Sequence, residues 1–380
     1  MGMRIDRSPR RPLRQSIRKR PRTLVRSAMV EMDRPAPVWP TSRIAPTTRS
    51  CVTWTAPSRR ANKRVALVSC CFVMSHWSSG TDARPLESRH TRAGTSQMET
   101  PKPFLVVLVV VLCAALGAGV AWLAGGPTLL LGAAIAFGIQ WVAFVPSSAL
   151  KTERYYDLTG SLTYLTLMAW SLCVASHVGA RQALVTAAVG IWALRLGTFL
   201  FRRIRRDGRD GRFDAIKQSA SRFFLAWTLQ GLWVFLTALA ALIVNIDAGA
   251  APLGATDIVG MAVWVFGFAI EVIADRQKSA FRARPETAGA WIDEGLWSHS
   301  RHPNYLGEIL LWTGIFIVGA GQFEGWQWLG VLSPVFVTVL LTRVSGIPML
   351  ETRADERWGD DPAYQTYKKR VPALVPQPWR

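Results

Sequence analysis

Eight apolar stretches, separated by links that alternate between rich and poor in Lys and Arg, constrain this chain more than any other feature. A membrane span needs about 20 mostly apolar residues. From residue 104 onward the stretches fall at roughly 104–124, 127–147, 158–177, 182–201, 223–245, 256–274, 307–320 and 325–346. The turn near Gly125–Gly126 is uncharged. The 148–157 link carries Lys151 and Arg154, and the 178–181 link only Arg181. The 202–222 link is dense in arginine, the 246–255 link has no Lys or Arg, and the 275–306 link carries Arg276, Lys278, Arg282, Arg284 and Arg301. The 321–324 link has neither Lys nor Arg, and the tail after Arg343 is basic again. Lys and Arg concentrate on the cytoplasmic side of membrane proteins. The pattern therefore predicts an all-α, polytopic membrane bundle of eight crossings with both termini cytoplasmic.

The net charge of +20 suggests a nucleic-acid partner until its location is examined. Residues 1–97 hold 20 Lys and Arg against 5 Asp and Glu, a net of +15; the remaining chain carries +5. The leader is rich in Arg, Pro, Ser and Thr and has no sustained helical or strand period, a composition that cannot bury enough apolar surface to order itself. We read 1–97 as a disordered basic leader or an over-extended start, with Met98 opening the coding region, and 98–380 as the membrane domain. Nucleic acid is not an expected partner. Five cysteines without a CxxC pair and few histidines argue against a disulfide framework or a zinc site.

Polar residues cluster at the cytoplasmic ends of the expected spans. "KTERYYDLTGS" (151–161) opens the third with Glu153, Tyr155, Tyr156 and Asp157. A carboxylate at a helix start is favoured electrostatically. At the mouth of a pocket the same acid, or a tyrosine hydroxyl, is a proton donor to a substrate carbonyl. Arg195 lies inside the fourth span, where an arginine faces a polar cavity or partner or, this near the cytoplasmic end, snorkels to the interface. Arg203 belongs to the glycine-broken "RRIRRDGRDGR" run, which suits a loop around phosphates. In "AIEVIADRQKSAFR" (269–282) Glu271 and Asp275 are four residues apart, on one helix face, with Lys278 next along it. Arg282 closes that block.

"SRHPNYLGE" (300–308) leads straight into the seventh stretch. Pro303 fits the first turn of a helix, so Asn304, Tyr305 and Glu308 project from its opening turns. Arg301 and His302 sit just before it and add donors for phosphate or carboxylate. In the tail, Glu351, Trp358, Tyr364 and Tyr367 read either as a cover over a cofactor or as membrane-surface anchors.

Taken together, the blocks "ERYYDLTGSLTYL", "ALRLGTFLFRRIRRDGRDGRFD", "ADRQKSAFR", "GLWSHSRHPNYLGEILLW", "SGIPMLE" and "YQTYKKRVPALVP" resemble the membrane proteins with a steroid 5α-reductase C-terminal domain, including the DUF1295-type bacterial members. The resemblance covers roughly 104–376. It implies a reductase of a C=C bond conjugated to a ketone, with NADPH as cofactor, a lipophilic substrate drawn from the bilayer and a cytoplasm-facing site in the bacterial inner membrane. It places Asp275, Arg282, Arg301, Asn304, Tyr305 and Glu308 on the cofactor. It sets Asp157 near a family glutamate that grips the substrate carbonyl and Trp192 near a family tyrosine. Tyr155 or Tyr156 is the substitute phenol. The "RHPNY" entry and "YKKRVP" tail also resemble isoprenylcysteine and phospholipid methyltransferases, which bind S-adenosylmethionine at that place. The "ADRQKSAFR" and "RDGRFD" blocks fit the reductase pattern better. A transporter is a third reading, disfavoured because the polar groups crowd one face and not the midplane.

Overall fold

The computed structural model describes residues 103–377, and among these every regular element is helical. The expectations for 1–97, including the start at Met98, lie outside the described residues. The helices are α1 (Pro103–Ala149), α2 (Tyr156–Val174), α3 (Ala180–Asp207), α4 (Ala220–Asp247), α5 (Ala255–Ala283), α6 (Pro303–Ala320), α7 (Leu332–Val339), α8 (Ile347–Trp358) and α9 (Pro362–Arg370). A 3₁₀ segment, Gly325–Val331, leads into α7, and a π-helical turn, Leu340–Val344, follows it.

Among the described residues, five helical runs are long and apolar enough to cross a membrane: Pro103–Ala149, Ala180–Asp207, Ala220–Asp247, Ala255–Ala283 and Gly325–Trp358. The two stretches expected at 104–124 and 127–147 share α1, which leaves helical geometry at Gly125 and at Gly126 (φ 57°). The chain reverses there. Gly117 packs against the ring of Phe137, 20 residues away; in a straight helix those positions lie about 30 Å apart. The expected stretches at 158–177 and 307–320 correspond to α2 and α6, which are 19 and 18 residues long and carry Asp157 and Glu308. They fall short of the apolar length of the other five.

α4 is the central element, with nearly every residue from Leu225 to Ile246 buried. Asn245 ties it to its neighbours: its Nδ2 donates to the hydroxyls of Ser171 on α2 and Thr186 on α3, both at 2.9 Å. Around it, α1, α3, α5 and α7 turn Val107, Val142, Leu194, Ile258, Phe266 and Val339 outward. An apolar collar of this size suits lipid and not water.

The tightest contact joins α5 and α6. A Cβ on Gly267 would lie 2.6 Å from the Leu311 nitrogen and 2.7 Å from the Gly307 carbonyl oxygen. One on Gly260 would lie 2.6 Å from the Gly314 carbonyl oxygen, and Gly307 and Gly314 face α5 in the same way. Seven-residue spacing on both helices puts the glycines on facing stripes, and small residues let antiparallel backbones touch.

At the opposite end from the basic loops, Arg181 donates from Nε and Nη2 to both oxygens of Asp257 at 2.7 and 2.8 Å, with both side chains 3% exposed. Asp257 also accepts from Gly254 N–H. The one basic residue of the 178–181 link is thus neutralised in place. It adds no charge to that face.

Gly267→Ala is expected to lower stability by about 1–3 kcal/mol, because overpacking outweighs alanine's better helix propensity. Gly119→Ala, where a Cβ meets open space, should be neutral or stabilising. Thermal unfolding in detergent compares them, and equal midpoints would refute the close contact.

Candidate functional site

Three polar groupings sit at the loop-rich end of the bundle. The innermost is built on the α5–α6 contact. Glu271 and Asp275 are one turn apart on α5, and Asn304 and Glu308 one turn apart on α6. Arg195, from α3, reaches both α5 carboxylates, Nη1 to Glu271 and Nη2 to Asp275. Asn304 Nδ2 donates to the other Asp275 oxygen at 3.3 Å. Glu271 is buried, and its Oε2 has no hydrogen-bond partner. Glu308 is close enough to Glu271, Asp275 and Arg195 to act on them electrostatically, yet it forms no ion pair or hydrogen bond among the described residues. Arg195 has spent its fork on the other two acids.

One turn beyond Asp275, Lys278 rests its ammonium 4.4 Å from the centre of the Trp297 ring. Lys278, Arg282 and Arg203 lie within electrostatic range of one another, and Arg206 and Arg357 are within range of Arg282. Among the described residues, Lys278, Arg282 and Arg357 form no ion pair with a carboxylate. Cations from α3, α5 and α8 therefore gather with less than matching negative charge, beside the acidic centre.

The second grouping is the tail lock. Arg301 grips Glu351 with Nε at 3.0 Å and Nη2 at 3.1 Å. Its Nη1 donates to the carbonyls of Lys368 and Val371 at 2.6 Å each, closing the end of α9. Backbone bonding continues through Arg301 N–H to Pro372, and Ser300 Oγ donates to the Leu374 carbonyl. His302 Nε2 lies 2.9 Å from Glu351 Oε1, and its ring stacks on Tyr305. Burial lowers His302 from the ordinary histidine range, against the upward pull of Glu351. The imidazole is therefore neutral at pH 7 and donates from Nε2, leaving Nδ1 a buried acceptor without a partner. Tyr367 donates to the Trp297 carbonyl at 2.9 Å, and burial raises it above the ordinary tyrosine range. α8 and α9 are thus bound to the 289–302 loop through these side chains and through the Trp291, Trp358 and Tyr364 rings.

The third grouping ties the 208–219 loop. Glu153 is buried, accepting from Lys217 Nζ at 2.8 Å and from the Asp210 N–H at 2.9 Å. Arg203 sits 3.6 Å from Asp157 and from Asp210. Tyr156 turns into the core and donates to the Ala226 carbonyl at 2.9 Å. Tyr155 is exposed, against Phe201.

The expected residues are therefore divided. Arg195, Asp275, Asn304 and Glu308 converge, with Lys278, Arg282 and Arg203 next to them. Arg301, His302, Glu351 and Tyr367 form the neighbouring lock, and Lys278 is within electrostatic range of His302. Asp157 reaches this region through Arg203, whereas Tyr156 is held in a separate packing cluster with Phe213 and Trp227. Glu271 was not among the expected site residues, although a carboxylate inside an apolar stretch four residues before Asp275 is a visible signal. Tyr164 gave none. It packs with Trp192 and Trp312, at ring separations of 5.0 and 5.7 Å.

Residues 143–371 match a protein family described as a protein of unknown function, DUF1295. An uncharacterized protein of Schizosaccharomyces pombe is 23% identical over 237 residues, covering 53% of this chain. The chain spans 65% of that relative's length.

Glu351→Gln keeps the shape of the lock but strips the charge that holds Arg301, His302 and Lys368. We expect a loss of about 1–3 kcal/mol and faster tryptic cleavage within 352–370. Unchanged cleavage kinetics would show that the tail is held by its aromatic contacts alone.

Proposed function

The chain belongs to the DUF1295 family, and on that premise we propose that it is an integral-membrane reductase that uses NADPH to saturate a C=C bond conjugated to a ketone in a lipophilic substrate. The observation that carries this reading is the excess of cations around Lys278 and Arg282 beside a buried acidic centre. A dinucleotide phosphate needs such cations. S-adenosylmethionine carries no phosphate and a positive sulfonium, and gains nothing from them.

NADPH, when bound, supplies a hydride. Lys278, Arg282 and Arg203 would hold its phosphates. Asp275 and Asn304 face the same region and offer an acceptor and a donor for ribose or amide groups. Arg195 keeps Glu271 and Asp275 in fixed orientation. The lock of Arg301, His302, Glu351 and Tyr367 walls the region on its aqueous side. The apolar collar supports entry of a lipophilic substrate from the bilayer.

The reversal at Gly125–Gly126 supports counting α1 as two crossings. Adding α2 and α6 to the other four long runs restores eight, with both termini and the site on the cytoplasmic face of the inner membrane. Neutralisation of Arg181 by Asp257 supports that orientation, because it removes the only basic residue from an outer link.

Purified protein in detergent should bind NADPH more tightly than NADH and should not bind S-adenosylmethionine. Lys278→Met and Arg282→Ala should each weaken NADPH binding about tenfold or more. Binding of the methyl donor alone, or of neither ligand, would overturn the reading.

A further inference from the structure

We infer that the outward-facing seam between α2 and α3 seats one anionic glycerophospholipid, with its phosphate on Arg205, Arg202 and the Tyr155 hydroxyl and an acyl chain laid along the seam. Such a seat is independent of the reaction proposed above.

On α3, Ile191, Leu194, Thr198, Phe201 and Arg205 follow one another at intervals of three or four residues and so share one side of the helix. Ile191 and Leu194 are more than half exposed, and Thr198, Arg202 and Arg205 are exposed. On α2, Leu162 and Thr166 also turn outward. The two helices approach closely where a Cβ on Gly197 would lie 2.6 Å from Ser161 Oγ. Thr198 and Leu162, next in the chain to that pair, border the seam on either side. The threonine hydroxyls are already used. Thr198 donates to the Leu194 carbonyl at 2.6 Å, and Thr166 to the Leu162 carbonyl at 2.9 Å. The seam therefore offers lipid an apolar surface. From Ile191 to Phe201 it runs about 15 Å, the depth of one leaflet in a hydrocarbon core about 30 Å thick.

The end of the seam has a different chemistry. Tyr155, half exposed, stacks on Phe201 with ring centres 6.4 Å apart. The Arg205 guanidinium lies 5.9 Å from the centre of the same Phe201 ring. Aromatic rings and cations together mark the level where apolar helix meets headgroups. The cations of this end divide by direction. Arg203 faces Asp157 and Asp210, and Lys217 faces Glu153 and Asp214. Those turned inward are thus met by acids of the protein. Arg202 and Arg205 form no ion pair among the described residues, and neither do the exposed Lys151 and Arg154 in the link before Tyr155. The unmatched positive charge lies at the lipid-facing end.

A phosphodiester complements that end. Its two free oxygens match the fork of one guanidinium, and the Tyr155 hydroxyl can donate to a phosphate or ester oxygen beside it. A headgroup that carries its own ammonium brings a positive charge among four others. Phosphatidylglycerol brings none. Each Lys or Arg near an anionic headgroup is worth about fivefold in affinity. Tyr155, expected from sequence as a proton donor, becomes a lipid contact.

Native mass spectrometry of the full chain, equilibrated in detergent with phosphatidylglycerol or phosphatidylcholine, tests the seat. One phosphatidylglycerol should bind about tenfold or more tightly than phosphatidylcholine, and added salt should narrow the gap. Arg202→Gln combined with Arg205→Gln should erase the preference. Lys369→Gln combined with Arg370→Gln, which removes the same charge from exposed positions of α9, should retain it. A phosphatidylglycerol with a diazirine in its acyl chain should crosslink within 158–201. Equal affinity of the wild type for the two lipids, a preference that survives in the Arg202 and Arg205 double variant, or crosslinks confined to other helices would each overturn the proposal. Displacement of the lipid by millimolar inorganic phosphate would do so too, since it would mean a site for a free anion. Thermal unfolding in lipid-free detergent should give both double variants the wild-type midpoint. If the arginine pair proves necessary for folding, the wild-type preference and the crosslink map decide by themselves.

Discussion

The close approach of α5 and α6 is the constraint on which the rest depends. Gly260 and Gly267 meet Gly314 and Gly307 at distances that leave no room for a Cβ. In lipid the hydrophobic effect does not press helices together, so association relies on packing and on polar contacts. Backbones that touch give maximal packing and also fix the register. That register sets Glu271 and Asp275 opposite Asn304 and Glu308, and Arg195 then has two carboxylates within reach of one fork. A slide of one turn would separate Asn304 from Asp275 and take Glu271 and Asp275 out of reach of one fork.

Polar residues at one end of the bundle divide into two kinds of work. Arg301, Glu351, Glu153 and Lys217 have their hydrogen-bonding capacity largely filled by protein partners and hold loops and tail in place. Glu308, Tyr164, Lys278 and Arg282 do not have matching partners. A folded membrane protein bears a cost for each such group. Their concentration in one region, between the lock and the aromatic cluster, is the physical mark of a site.

Much of this arrangement was legible beforehand. The four-residue spacings of Glu271 with Asp275 and of Asn304 with Glu308 require one face on a helix, and Pro303 marks where α6 starts. Arg195 within an apolar stretch called for a polar cavity or a partner, and it meets two carboxylates. The tyrosines at 155 and 156 could not be separated by spacing, since adjacent residues on a helix point about 100° apart. Only packing shows Tyr156 held by Ala226 and Tyr155 turned outward. The tail, equally readable as a membrane anchor, is instead tied to the 289–302 loop by contacts some 50 to 70 residues away in the chain.

The sequence by itself determined that the chain is helical and membrane-embedded, because hydrophobic length and the placement of Lys and Arg are local properties that lipid and water read directly. It also determined which short blocks hold the polar chemistry. Tertiary structure alone decided which groups are spent on one another and which stay free. That depends on pairing across helices far apart in the chain: α3 to α5, α6 to the tail, and α2 against Trp312 of α6. Such pairings follow from which faces pack. A glycine reveals that face only when another glycine lies opposite it.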